Sequence, residues 1–137
     1  QRCSKPVTML DIYPTLIELC NLAAKSELQG KSFLPLLKNP QAQWDRPALT
    51  THGRENHSLR SEQFRYIRYS DGTEELYDHE KDELEWTNLA NDPKYADVKK
   101  QFAKWLPTTN VPEVLPAKGK EQSAPKKAAS KRKKQSG

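Results

Sequence analysis

Phe64-Arg65-Tyr66-Ile67-Arg68-Tyr69, followed by Ser70-Asp71-Gly72-Thr73 and then Glu74-Glu75-Leu76-Tyr77-Asp78, is the stretch that decides the fold. The first run is aromatic and β-branched, with basic residues between. Its alternation puts Phe64, Tyr66 and Arg68 on one face and Arg65, Ile67 and Tyr69 on the other, so neither face is wholly apolar. Asp71-Gly72 marks a tight turn, and the acidic run after it reads as the returning strand of a hairpin. Upstream, Ala48-Leu49-Thr50-Thr51 and Ser58-Leu59-Arg60-Ser61 are two more short strand candidates. The expectation is a small antiparallel sheet of three or four strands.

Helical signals flank this sheet. Ile12, Leu16, Leu19 and Cys20 fall at i, i+4, i+7 and i+8, one stripe of a helix. Asp11 can accept hydrogen bonds from free N–H groups at its start, and Pro14 is tolerated in the first turn. The spacing predicts a helix over 11–24. Gly30 then permits a turn, and Ser32 can cap one helical turn carrying Leu34, Leu36 and Leu37, which Asn39-Pro40 ends. On the far side of the sheet, Asn91-Asp92-Pro93 offers a cap and an N-terminal proline. Tyr95, Val98, Phe102 and Trp105/Leu106 recur at helical spacing, with Lys99, Lys100 and Lys104 favourably near the C-terminus. This predicts a helix over 93–106, with Phe102 and Trp105 in the core and Pro107 as the stop. The class is α+β: the sheet with its C-terminal helix over 48–107, and an N-terminal helical part over 1–47.

The chain has 137 residues, of which 34% are hydrophobic, and a mean hydropathy of -0.97. That bounds it to one small domain with little core material. Gln1 stands where a start methionine would, and no charged segment with an apolar run follows it. The expectation is a processed chain or a piece of a longer one. No apolar run approaches the roughly 20 residues that span a bilayer, so no membrane partner is expected. The net charge of +5 is unevenly spread. From Ala117 to Gly137 eight Lys/Arg face one acid, Glu121, a net of +7, which leaves -2 for residues 1–116. A basic pI therefore describes the tail, which is Pro-, Lys-, Ala- and Ser-rich from Thr108 and expected to be disordered over 108–137. Lys131-Arg132-Lys133-Lys134 could meet nucleic acid, an anionic polysaccharide or a membrane surface, or serve only to solubilise. Cys3 and Cys20 form neither a disulfide framework nor a metal spacing. Cys20 reads as a buried small hydrophobe. Arg60, Arg65 and Arg68 with Phe64, Tyr66 and Tyr69 could bind single strands of nucleic acid. The competing reading pairs them across the hairpin with Glu74, Glu75, Asp78 and Glu80. His79, in an acidic turn, reads as a surface residue.

Four stretches together resemble sulfatases. Asp11-Ile12-Tyr13-Pro14-Thr15-Leu16 and Gly30-Lys31-Ser32-Phe33-Leu34-Pro35-Leu36-Leu37 are similar to the pattern D-x-x-P-T-L … G-x-S-L-x-P-L-L. Ser58-Leu59-Arg60-Ser61-Glu62-Gln63-Phe64-Arg65-Tyr66-Ile67 resembles S-x-R-T-x-x-Y-R-Y-I. Glu75-Leu76-Tyr77-Asp78 with Glu85 and Asn88-Leu89 resembles E-L-Y-D-L-x-x-D-P-x-E-x-x-N-L, although Asp82-Glu83 replaces the Asp-Pro. Order and spacing agree over residues 5–106, most like the iduronate-2-sulfatase and choline-sulfatase branch. The resemblance implies the C-terminal region of a sulfuric-ester hydrolase, completing the fold of an N-terminal α/β domain to which the helix over 11–24 would belong. It implies a sulfated sugar or polysaccharide as substrate and a periplasmic or secreted location. It also implies a calcium ion and a formylglycine nucleophile, both in the N-terminal part. Neither Cys3 nor Cys20 fits the family's Cys/Ser-x-Pro-x-Arg motif, so this segment is expected to supply no catalytic residue, no metal ligand and no activity by itself.

What it could supply is leaving-group or substrate contact, from Thr50-Thr51-His52-Gly53-Arg54-Glu55-Asn56-His57, a polar loop between two strands. Arg54 can grip a carboxylate or sulfate through two parallel hydrogen bonds. Asn56 and His57 can read sugar hydroxyls. The competing reading is a solvated connector. Two other functions stay open: a stand-alone module holding nucleic acid or another polyanion, and a phosphodiesterase or phosphonate hydrolase relative on the same scaffold.

Overall fold

The computed structural model describes residues 1–112 and 114. The order is α1 (Ile12–Leu19), entered through a 3-10 turn at Met9–Asp11, α2 (Leu34–Lys38), β1 (Ala48–Thr51), β2 (His57–Arg60), β3 (Phe64–Arg68), β4 (Glu74–Asp78), then a 3-10 turn at Pro93–Tyr95 leading into α3 (Ala96–Ala103). The four strands form one antiparallel meander in chain order, β1-β2-β3-β4. The α+β class and the expected strands hold, with one shift: His57 opens β2 and is not part of the loop.

Register explains the core. Leu49, Leu59, Tyr66 and Leu76 stand opposite one another across the four strands. Leu59 and Leu76 are fully buried, at 0% exposure. Phe102 of α3 stacks on Tyr66 with ring centroids 5.9 Å apart, and Phe64 meets Tyr95 edge-on at 6.1 Å. The face carrying Phe64, Tyr66 and Arg68 is thus the one α3 covers, and burial of Leu59 and Leu76 contributes about 1.5–3 kcal/mol each. Trp105 departs from expectation. The α-helix ends at Ala103, and Trp105 remains 46% exposed in the turn beyond it.

The N-terminal helix departs further. It stops at Leu19, five residues before the expected end at 24. Asn21 takes φ 51°, and the Leu22 N–H bonds back to the Ile17 carbonyl at 3.0 Å. Asn tolerates this left-handed cap better than most residues. The stripe faces out: Leu16 is 51% and Leu19 53% exposed, and Cys20, expected to be buried, is exposed too. The buried residues are Asp11, Thr15 and Ile17. Asp11 sits at the N-cap position of α1, but its side chain makes no cap hydrogen bond to that helix. Its carboxylate accepts the N–H groups of Thr8 and Lys31, both at 2.8 Å, with Arg46 3.6 Å away. Thr15 donates its hydroxyl to the Asp11 carbonyl at 2.6 Å and accepts the Phe33 N–H at 3.0 Å. The two motif stretches therefore recognise each other within the chain.

The arginines do not pair as expected. Glu74 is engaged by Lys99 of α3 at 2.9 Å and by the Tyr66 hydroxyl. Glu75 accepts the hydroxyls of Tyr69 and Tyr77, and Asp78 takes Lys81 and Gln63. Arg65 instead reaches Glu85, at 3.0 Å, in a loop where Glu85 adopts φ 59°. His79 is mostly covered rather than a plain surface group, and it bonds the same carboxylate at 2.6 Å. Glu74 projects toward α3, where Lys99 reaches it, while Arg65 lies on the opposite face beside the 79–85 loop.

These ion pairs carry a pH dependence. Lys99 and the Tyr66 hydroxyl hold the Glu74 carboxyl below its ordinary value. Burial pushes Asp78 and Glu85 up, but Lys81 and Gln63 in one case, and Arg65 and His79 in the other, more than reverse it. A carboxyl depressed in the folded state stabilises above its unfolded value of about 4 and loses that contribution as pH falls through the folded one. The melting temperature is expected to be flat from neutrality to about pH 5 and to drop steeply below about pH 4. In a pH series of thermal melts, Glu74→Gln should remove part of that drop. An undiminished acid slope in this variant would rule out the Glu74 contribution.

Candidate functional site

The β1–β2 turn is closed by the His52 N–H on the Asn56 carbonyl at 3.0 Å. Gly53 and Glu55 both take positive φ, 63° and 66°. Glycine does so freely; Glu55 does so at some cost, and the reversal it permits lifts Arg54 to the tip. The Arg54 side chain is half-exposed, and its ion-pair partner is the neighbouring Glu55 at 3.4 Å. The guanidinium is therefore available to a ligand.

Asn56 and His57 face inward. The Asn56 amide donates to the Arg54 carbonyl at 3.2 Å, and its Oδ1 accepts the Ser70 N–H at 3.1 Å. It thus staples the β1–β2 turn to the β3–β4 turn. His57 is only 6% exposed. Its Nδ1 lies 2.9 Å from the Thr51 hydroxyl and its Nε2 lies 3.0 Å from Asn110 Oδ1. A carboxamide oxygen only accepts, so the network assigns the proton to Nε2 and leaves Nδ1 to receive the Thr51 hydroxyl. His57 thereby anchors the segment after α3. The expectation of disorder from Thr108 fails for 108–112, which run beside the turn. Glu113 and 115–137, with the Lys131-Arg132-Lys133-Lys134 run, lie outside the described residues.

Asn110 divides two hollows. One, of about 720 Å³, is lined by Thr51, Arg54, Trp105, Thr108 and Asn110 among others. The other, of about 300 Å³, lies on the far side of His57 and holds Arg68 and Ser70. The larger hollow combines an arginine fork, a half-exposed aromatic ring and hydroxyl and amide groups, which suits an anionic, hydroxyl-rich ligand. Sequence reasoning missed Trp105 and Asn110 here. The polar run Thr108-Thr109-Asn110 directly after the Pro107 stop was the one available signal.

The residues do not fit a calcium ion. The Asp11 oxygens are taken by two backbone amides, and no three His, Cys, Asp or Glu side chains converge among the described residues. Calcium needs six to eight oxygen ligands. Cys3 and Cys20 are exposed, and neither stands beside a base or in the hollows.

Residues 1–111 match the family described as "N-sulphoglucosamine sulphohydrolase, C-terminal". A protein named "Sulfatase" from Formosa agariphila is 40% identical over 110 residues, covering 80% of this chain and 22% of that protein. A "Delta 4,5-hexuronate-2-O-sulfatase" from Bacteroides thetaiotaomicron is 36% identical, covering 65% of this chain and 20% of its own length. Among solved structures, a "2-O GAG sulfatase" superposes with a TM-score of 0.56 at 29% identity, over 69% of this chain and 22% of that one. The chain thus spans about a fifth of the length of the relatives it matches.

Proposed function

The chain belongs to the N-sulphoglucosamine sulphohydrolase C-terminal family, and from that premise we propose that it is the C-terminal region of a sulfuric-ester hydrolase acting on a sulfated sugar or polysaccharide. The names of its relatives support the substrate class. In this reading the nucleophile and the calcium ion belong to a preceding N-terminal domain, and the present residues do two things for it. The outward apolar stripe of α1 gives that domain a surface to pack on. The β1–β2 turn gives the cleft a wall from which Arg54 meets an anionic group of the substrate.

The half-exposed Arg54 guanidinium, lifted on a turn that Asn56 and His57 lock from behind, carries this proposal. Arg54 is the contact group. Asn56 and His57 act chiefly by positioning it, although the His57 edge borders both hollows. In the whole protein, Arg54→Ala is expected to lower kcat/KM for a sulfated sugar roughly 10- to 100-fold, the worth of a charge-assisted hydrogen-bonded pair. The melting temperature should not move, because Arg54 holds nothing in the fold. Unchanged kcat/KM for sulfated sugars would remove Arg54 from the cleft. No hydrolysis of any sulfate ester by the whole protein would sink the larger reading.

A further inference from the structure

The smaller hollow beyond His57 has chemistry of its own. Arg68 is the last residue of β3 and stands directly opposite His57 on β2 and Glu74 on β4. It shares a face with Tyr66 but lies past the stretch that α3 covers, and it is exposed. Its natural cross-strand partner is committed elsewhere, since Lys99 and the Tyr66 hydroxyl hold the Glu74 carboxylate. Arg68 lies near that pair and helps lower the Glu74 pKa. None of the ion pairs among the described residues includes Arg68. A guanidinium has five N–H donors in a flat fork; Arg68 lines the hollow, and its contact with the Tyr66 hydroxyl leaves donors over. Ser70 adds a hydroxyl, Gly72 leaves the rim low, and Asn110 and Pro107 form the wall.

Glu55, His57, Pro107 and Asn110 line both hollows. The Arg54 and Arg68 forks therefore stand on two sides of one narrow divider. The only acid in that divider, Glu55, is paired with Arg54. We propose that the Arg68 hollow is a second anion subsite, which takes the sulfate or carboxylate of the sugar residue adjoining the one whose ester is cleaved. The proposal rests on the reading above, with Arg54 serving the reacting sugar. It adds a preference for substrates that carry charge on two neighbouring residues.

The test uses the whole protein and two probes: a monosulfated monosaccharide, and a sulfated disaccharide whose second residue carries a carboxylate. With Arg68→Gln, KM for the disaccharide should rise about ten-fold while kcat holds, since one charge-assisted contact is lost. KM for the monosaccharide should stay as it was. Arg68→Lys keeps the charge without the fork and should fall between. Added salt should shrink the disaccharide advantage of the unaltered protein, because the contact is partly exposed. Equal shifts for both probes, or none for either, would overturn the subsite. If Arg68→Gln is silent while Arg54→Ala still impairs both probes, only the subsite fails. If the whole protein hydrolyses no sulfate ester at all, the sulfatase reading fails with it.

Discussion

Gly30→Ala is expected to destabilise the protein by about 3 kcal/mol, the upper end for forced overpacking. An alanine Cβ there would stand 2.0 Å from the Leu10 carbonyl oxygen, 2.5 Å from its carbon and 3.0 Å from the Asp11 nitrogen. All three are backbone atoms, so no side-chain rotation relieves the clash. One of the two strands of chain must move. Yet the Asp11 carboxylate holds the Lys31 N–H, and the Thr15 hydroxyl holds the Phe33 N–H, on either side of the contact. Separation would break bonds to a carboxylate that is almost wholly buried, leaving it short of donors. Gly72→Ala is the control. Gly72 has φ 84° but open space around its missing Cβ, so the backbone term alone applies, about 1–2 kcal/mol. Urea melts of the three proteins decide it. A Gly30→Ala midpoint no lower than that of Gly72→Ala would show that the close approach is not real.

That contact also shows why part of the fold was legible and part was not. The strands announced themselves because period-two alternation, Asp71-Gly72 and the flanking polar residues all pointed the same way. Helix α3 did so through Asp92, whose side chain accepts the Lys94 N–H at 2.9 Å. Asp11 was legible in part: it takes a free N–H at the helix start, and Thr8-Met9-Leu10-Asp11 has the capping-box spacing that puts the Thr8 N–H on its carboxylate. Nothing local reveals that its other donor comes from Lys31, twenty positions away. The stripe itself was read correctly as helical, but periodicity finds an apolar face and not what covers it, and Cys20 on it was wrongly expected to be buried. At the candidate site, the exposure of Arg54 was legible because a charged residue between Gly53 and a tight reversal has nowhere to hide. The burial of His57 was not, because its contacts include Asn110, in a Pro-rich stretch that composition alone assigns to disorder.

The uncovered stripe supplies the largest expected effect. Ile12, Leu16 and Leu19 lie half in solvent on one side of α1. Met9, Leu10 and Leu22 are exposed beside it, at either end of the helix. Covering a Leu or Ile side chain fully is worth about 1.5–3 kcal/mol, so a face of this kind left wet forgoes much of what the helix could gain. If the preceding domain covers it, as proposed, Ile12→Glu together with Leu16→Glu would place two carboxylates in a dry interface with no partners. Each would cost several kcal/mol, and the activity of the whole protein should fall by more than about 100-fold, or the protein should fail to assemble. Without a covering domain the same changes sit in water and should shift stability by no more than about 0.5 kcal/mol. Leu84→Glu, in an exposed loop away from α1, provides the comparison. Activity and melting temperature measured side by side separate the cases. A double variant that behaves like Leu84→Glu would mean that the stripe faces solvent in the working protein, and that α1 is held by its buried side, Asp11, Thr15 and Ile17.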